Sequence, residues 1–163
     1  MSERIEKIMR SYQQMVMERN CLENQIMNFQ GITESEMIES MNFVQPSGER
    51  VQTSGVSDKT SRIAINYKNR MNRINREWQE HLAKKHAALV VELLFFESAI
   101  LSLSGILPDF ISDMVIDGLT WDDLAAKYHV SRTMVAKYRK KAIRELEILY
   151  TIHDKQMEDY ILS

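Results

Sequence analysis

The chain has 163 residues, of which 44% are apolar and 27% are charged, with five glycines and two prolines. A chain of this size can bury one modest core or two small ones, and its composition excludes a wholly disordered protein and favours long helices, so we expect an all-α fold. The net charge of −2 excludes a uniformly basic nucleic-acid-binding protein, but a basic face on one element is compatible with it.

Residues 1–45 begin with the pattern of a long amphipathic helix. Apolar side chains recur at alternating three- and four-residue steps, which is the spacing of a coiled-coil seam: Ile5, Ile8, Tyr12, Met15, Leu22, Ile26 and Phe29. We expect Ser2 to cap this helix and Gly31 to stop it. The seam predicts either a homodimer or packing against the next long helix in a coiled-coil-like hairpin.

Three features bear on the compartment of the protein. The only cysteine is Cys21, so no intramolecular disulfide can form, and residues 1–10 are charged, without the apolar centre of a signal peptide. The longest apolar run, residues 87–96, contains Glu92 and is far shorter than the roughly 20 residues that a bilayer requires. We therefore expect a cytoplasmic protein that makes no membrane contact.

Residues 46–57 contain Pro46 and two glycines without apolar periodicity, which predicts a flexible linker. A second helical segment, residues 58–104, follows, because apolar side chains again recur at helical steps from Ala64 to Leu82. A single helix of this length is unusual, so we expect a break near residues 83–88. The very apolar stretch 89–103 is the expected centre of the core, and we expect Gly105 to end this helical segment.

The first half of this segment is basic and rich in asparagine. Six of its residues form a candidate second contact with DNA: Lys59, Arg62, Asn66, Asn69, Arg73 and Arg76. An ordinary polar helix face and a site for an acidic protein partner are the alternatives.

Residues 105–163 contain the start and stop signals of three helices in close succession. Pro108 suits the first turn of one helix, and Gly118 suits its end. Thr120 and Ser131 can each cap a following helix, which leaves a turn of about three residues between the last two helices. This turn length is typical of a helix-turn-helix. The internal core of such a pair is expected to consist of Leu124, Ala125, Val130, Val135 and Tyr138.

The start of the last helix is basic, and no acidic residue lies between Ser131 and Arg144. Such a helix can lie in a DNA groove, and a solvated polar face is the alternative. We expect nine residues to contact DNA: Ser131, Arg132, Thr133, Ala136, Lys137, Arg139, Lys140, Lys141 and Arg144. Arg132 and Lys137 suit guanine edges, whereas Ser131, Arg139 and Lys141 suit phosphates.

The run from Leu107-Pro108 through Gly118-Leu119-Thr120-Trp121, Leu124-Ala125 and Val130-Ser131 to residues 142–146 resembles the region 4 helix-turn-helix of bacterial sigma factors. It is still more similar to the phage late-gene transcription regulators of the RinA and ArpU type, and residues 57–64 also resemble the start of a long helix in those proteins. The resemblance implies an activator that binds double-stranded DNA in the cytoplasm of a bacterial host, with host RNA polymerase as a further candidate partner. His129 stands where many such units have glycine, and no stretch resembles the promoter-melting region of a sigma factor.

Two other functions are compatible with the same pattern: a small-terminase-like DNA-packaging protein, and a sigma-like adaptor that binds polymerase. An enzyme is not expected. His81 and His86 are five residues apart and do not share a helix face as a metal pair would, and the isolated glycines form no phosphate-binding loop. The sequence therefore predicts neither a metal nor a cofactor.

Overall fold

The computed structural model describes residues 1–31, 33, 35, 36 and 58–163, with the side chains of residues 58–61, 63 and 64 left aside. In these ranges the chain is helical, without a strand, which confirms the all-α prediction. The helices are α1 (Ser2–Met27), α2 (Asp58–Leu101), α3 (Leu107–Ile111), α4 (Trp121–Tyr128) and α5 (Arg132–Leu162), and a π-helical turn, Ser112–Ile116, directly follows α3. The expected linker, 46–57, lies outside the described residues.

Residue contacts divide the chain into two compact units. Unit 1 consists of Met1–Asn20 and Ala88–Ser163, and unit 2 consists of Cys21–Ala87. The sequence placed residues 1–45, 58–104 and 105–163 in separate segments. The first part of α1 belongs to the same compact unit as the C-terminal helices, because both bury side chains in one core.

Both long helices differ from their predicted limits. Ser2 is the first residue of α1 and so does not cap it, and Gly31, with φ of +71°, follows four residues after the helix ends at Met27. Helix α2 is continuous through residues 83–88, so the predicted break is wrong. The physical reason is that no glycine or proline interrupts residues 58–101. The helix ends at Leu101, and the chain turns at Gly105, whose φ is +58°.

The core of unit 1 contains side chains from both long helices. From α1 it contains Ile5, Ile8, Met9, Tyr12 and Met15, and from α2 it contains Leu93, Phe96, Ala99 and Ile100. The Tyr12 ring lies 5.8 Å from the ring of Phe96, and its hydroxyl donates to Glu97 Oε1 at 2.6 Å. The predicted packing of the first helix on the second is therefore confirmed within unit 1. This half of the α1 seam is already occupied and is not free for a second copy.

Two polar side chains of α1 tie it to the C-terminal part of unit 1. Gln13 Nε2 donates to the carbonyl oxygens of Val115 and Ile116, at 3.0 and 2.5 Å. Arg4 Nη1 donates to Asp154 Oδ2 at 2.7 Å. The hydrogen bonds from Gln13 satisfy carbonyl groups at the end of the π-helical turn, where no further turn of helix supplies an N–H donor.

The expected core stretch 89–103 is buried on one side only. Phe96 and Ile100 have no exposed surface, whereas Leu94 and Leu101 are 59% and 74% exposed. None of the helices in the described ranges combines the length and the hydrophobicity that a membrane crossing requires.

Candidate nucleic-acid interface

Phe110 holds the three C-terminal helices together. Its side chain has no exposed surface, and its ring centroid lies 5.4 Å from those of Tyr128 on α4 and Tyr138 on α5, both edge-on. Leu124 and Val135, which were predicted to form the internal core, are also fully buried. The predicted partners Ala125, Val130 and Tyr138 are half-buried against the same cluster. The base of the candidate surface is therefore a packed core.

Helix α4 begins at a reciprocal cap. Thr120 Oγ1 accepts a hydrogen bond from the backbone N–H of Asp123 at 3.2 Å, and the N–H of Thr120 donates to Asp123 Oδ2 at 3.1 Å. These bonds hold the pKa of Asp123 below its usual value. Two of the backbone donors at the helix start are thus satisfied, as the sequence predicted for Thr120.

Asp113, in the π-helical turn, anchors the end of α4. It is 8% exposed and accepts hydrogen bonds from Tyr128 Oη at 2.5 Å and from Lys127 Nζ at 2.7 Å. The bond from Lys127, followed by that from Tyr128, lowers the pKa of Asp113, while the same bond raises the pKa of Lys127. Burial, with the hydrogen bond to Asp113, raises the pKa of Tyr128. The charge of Lys127 is therefore compensated within the protein.

The turn between α4 and α5 has the predicted length of three residues. His129 adopts φ of 54° and ψ of 45°, the left-handed conformation, and the N–H of Val130 donates to the Ala125 carbonyl at 3.0 Å. Ser131 Oγ then accepts from the N–H of Met134 at 3.3 Å and caps α5. His129 occupies the backbone geometry that glycine adopts most readily, although its side chain has a β carbon.

We expect His129→Gly to raise the free energy of unfolding by about 1 kcal/mol, because the left-handed conformation costs a residue with a β carbon about that much. Urea denaturation followed by circular dichroism measures the change. The matched control is Ala126→Gly, an exposed position inside α4, which is expected to lower the free energy of unfolding by about 1 kcal/mol. Destabilisation of both variants to the same extent would contradict the left-handed turn.

The predicted DNA-contacting residues lie mostly on the exposed side of the first half of α5. Six of the nine are exposed on that helix: Arg132, Thr133, Lys137, Lys140, Lys141 and Arg144. Ser131 is exposed at its cap, Ala136 is half-buried, and Arg139 is half-buried because it lies on the same side of the helix as buried Val135 and Ala142. Over the described ranges, Lys137, Lys140, Lys141 and Arg144 form no ion pair.

Arg132 differs from these four cations because it forms an ion pair with Asp122. Its Nε lies 3.4 Å from Asp122 Oδ1 on α4, and both side chains are largely exposed, at 69% and 78%. An exposed pair of this kind is weak and can open when a phosphate or a base approaches. Asp122, an acidic residue in the first turn of α4, therefore lies beside a candidate DNA contact.

The second candidate surface lies on the part of α2 that belongs to unit 2. Arg62, Asn66, Asn69, Arg73 and Arg76 are exposed, and at 100° per residue they occupy an arc of about 80° on one face. Arg73 Nε lies 3.6 Å from Glu77 Oε1. The side chain of Lys59 lies outside the described residues. The continuous helix thus aligns five of the six predicted side chains.

Comparisons of the chain with protein-family models, with curated proteins and with solved structures find no match.

Proposed function

We propose that this protein is a sequence-specific transcription regulator that binds double-stranded DNA through a helix-turn-helix formed by α4, the turn 129–131 and α5. The observation that carries the proposal is the set of cations Lys137, Lys140 and Arg144, which are exposed on one side of α5 and form no ion pair with the residues that the structure describes. A rigid helix with such a side can enter the major groove, which is wide enough to admit it.

The three-helix packing supports this role. Phe110, Leu124 and Val135 fix the angle of α5 from its buried side, and the cap at Ser131 fixes where the helix begins. Because the contacts to bases depend on geometry, a rigid support lowers the entropy lost on binding. The side chains that would reach DNA are thus mounted on a helix and not on a loop.

The resemblance of residues 107–146 to sigma region 4 and to phage late-gene regulators gives the proposal its biological direction. We propose an activator of phage late genes, without catalytic activity, in the cytoplasm of the bacterial host. Host RNA polymerase is a second partner in this proposal, and the exposed basic face of α2 offers a further contact with DNA.

The experiment is selection of bound duplexes from a random library by the full chain, followed by binding curves at several salt concentrations. We expect enrichment of one sequence and a loss of affinity of about 10³-fold between about 50 and 200 mM salt, because roughly six phosphate contacts release counterions. The proposal would be refuted if no sequence is enriched and the affinity for DNA does not change with the salt concentration. A polymerase-binding adaptor would give that result.

A further inference from the structure

The acidic side chain of Asp122 lies against the candidate DNA surface of α5. Asp122 belongs to the first turn of α4, and its Oδ1 is 3.4 Å from Nε of Arg132, the first residue of α5. Of the nine predicted DNA contacts, Arg132 is the one that pairs with a carboxylate in the part of the chain that the structure describes. A negative charge thus lies where the candidate recognition helix begins.

The start of α4 does not depend on Asp122. The reciprocal cap is formed by Thr120 with Asp123, and the carboxylate of Asp123 already places a negative charge at the positive end of the helix. The side chain of Asp122 is 78% exposed and forms no hydrogen bond with a backbone group of the described residues. Its contact with Arg132 therefore needs a separate explanation.

The ion pair leaves most donors of Arg132 available. The contact is made by Nε, which carries one of the five N–H donors of the guanidinium. Nη1 and Nη2 carry the other four, and they can donate two parallel hydrogen bonds to O6 and N7 of a guanine. The carboxylate can thus hold the guanidinium from one side while the other side binds a base.

The charge of Asp122 acts differently on matching and on random DNA. At every duplex it repels the nearby phosphates, and one exposed charge changes an affinity by about 2- to 5-fold. At a duplex with a guanine in reach it also orients Arg132 in advance, and ordering a long side chain otherwise costs about 2- to 10-fold in affinity. A penalty on wrong sites that the right site escapes is a source of specificity.

We propose that Asp122 is a positioning residue that sets the base specificity of α5 through Arg132. It orients the guanidinium towards one guanine, and it weakens binding that depends on phosphates alone. This inference rests on the proposed function, because it requires that α5 binds DNA. The nine residues that the sequence predicts to contact DNA include no acid, so the role of Asp122 goes beyond them.

Binding curves of full-length variants with the selected duplex and with random duplexes test the proposal. Asp122→Asn removes the charge and keeps the size of the side chain. Its affinity for random duplexes should rise by about 2- to 5-fold, while its affinity for the selected duplex should not rise, so the ratio of the two affinities falls by about 2- to 5-fold. The salt dependence on random duplexes should steepen by up to about one unit of the log–log slope.

Glu158→Gln is the matched control, because it also turns an exposed carboxylate into an amide, about 39 Å along α5 from Arg132. It should leave both affinities nearly unchanged. Asp122→Glu keeps the charge and should retain the wild-type ratio. In a chain that carries Arg132→Ala, Asp122→Asn should raise both affinities alike and leave the ratio unchanged.

Circular dichroism verifies that the variants are folded, and a loss of structure would lower both affinities, so it cannot produce a rise on random duplexes. A wild-type preference that Asp122→Asn leaves intact would overturn this proposal without affecting the proposed function. A fall of the ratio that persists in the Arg132→Ala chain would also overturn it, because Asp122 would then not act through Arg132. A wild-type chain without any sequence preference refutes both proposals.

Discussion

Lys137→Ala is expected to weaken binding to the selected DNA sequence by about 1–3 kcal/mol, or about 5- to 150-fold in the dissociation constant. Lys137 is exposed on the first half of α5 and forms no ion pair within the described residues, so its charge is available to DNA. If it donates to a base edge, discrimination against the other bases at one position of the site should fall in parallel. Fluorescence anisotropy with the selected duplex and with single-base variants measures both effects.

The matched control is Lys155→Ala, which removes the same charge from an exposed position on the same helix, about 27 Å further along. It should leave the affinity nearly unchanged. Lys141→Ala should weaken selected and random duplexes alike, because a phosphate contact carries no sequence information. Equal losses on both duplexes for Lys137→Ala and for Arg132→Ala would contradict base readout by α5.

Phe110→Ala is expected to lower the free energy of unfolding by about 3–5 kcal/mol, because it empties a fully buried ring site. The edge-on contacts with Tyr128 and Tyr138 are lost at the same time, so the packing of α4 and α5 loses its common support. A loss of this size is a large fraction of the stability of most domains. Thermal and urea unfolding followed by circular dichroism measure it.

Tyr160→Ala is the control for this substitution, because Tyr160 is an aromatic residue on α5 that is 77% exposed. Its effect should stay within about 0.5 kcal/mol. DNA binding by Phe110→Ala should fall with the folded fraction and recover at lower temperature. A variant that keeps wild-type stability would show that Phe110 does not join the three helices.

The starts of α4 and α5 could be predicted closely from the sequence, whereas α5 runs to Leu162, well beyond residue 146, where the predicted helix-turn-helix ends. Thr120 and Ser131 cap their helices by bonds to backbone groups only three residues away, at Asp123 and Met134. Interactions of this range depend on local sequence and need no knowledge of the fold. The exposed cations of the first half of α5 could be predicted for the same reason, since helical periodicity separates them from Val135 and Ala142.

The continuous α2 and the environment of Asp113 could not be predicted in this way. The break near residues 83–88 was predicted because helices of this length are unusual. The segment contains no glycine or proline, however, and α2 continues through it. Asp113 reaches Lys127 and Tyr128, which are 14 and 15 residues away, only because the chain turns at Gly118 and brings α4 back. The periodicity of apolar residues in the sequence does not predict a contact between residues 14 or 15 positions apart on different helices.

The sequence by itself determined the all-α class, the caps of the last two helices and the basic side of α5, because propensity, capping and periodicity are local properties of the chain. Only the tertiary structure decided which apolar seams are occupied. The first half of the α1 seam is buried in its own chain, while Val91, Leu94 and Ile148 stay exposed. A seam in the sequence shows that a helix has an apolar side, but whether that side meets the same chain or a second copy depends on how distant helices pack.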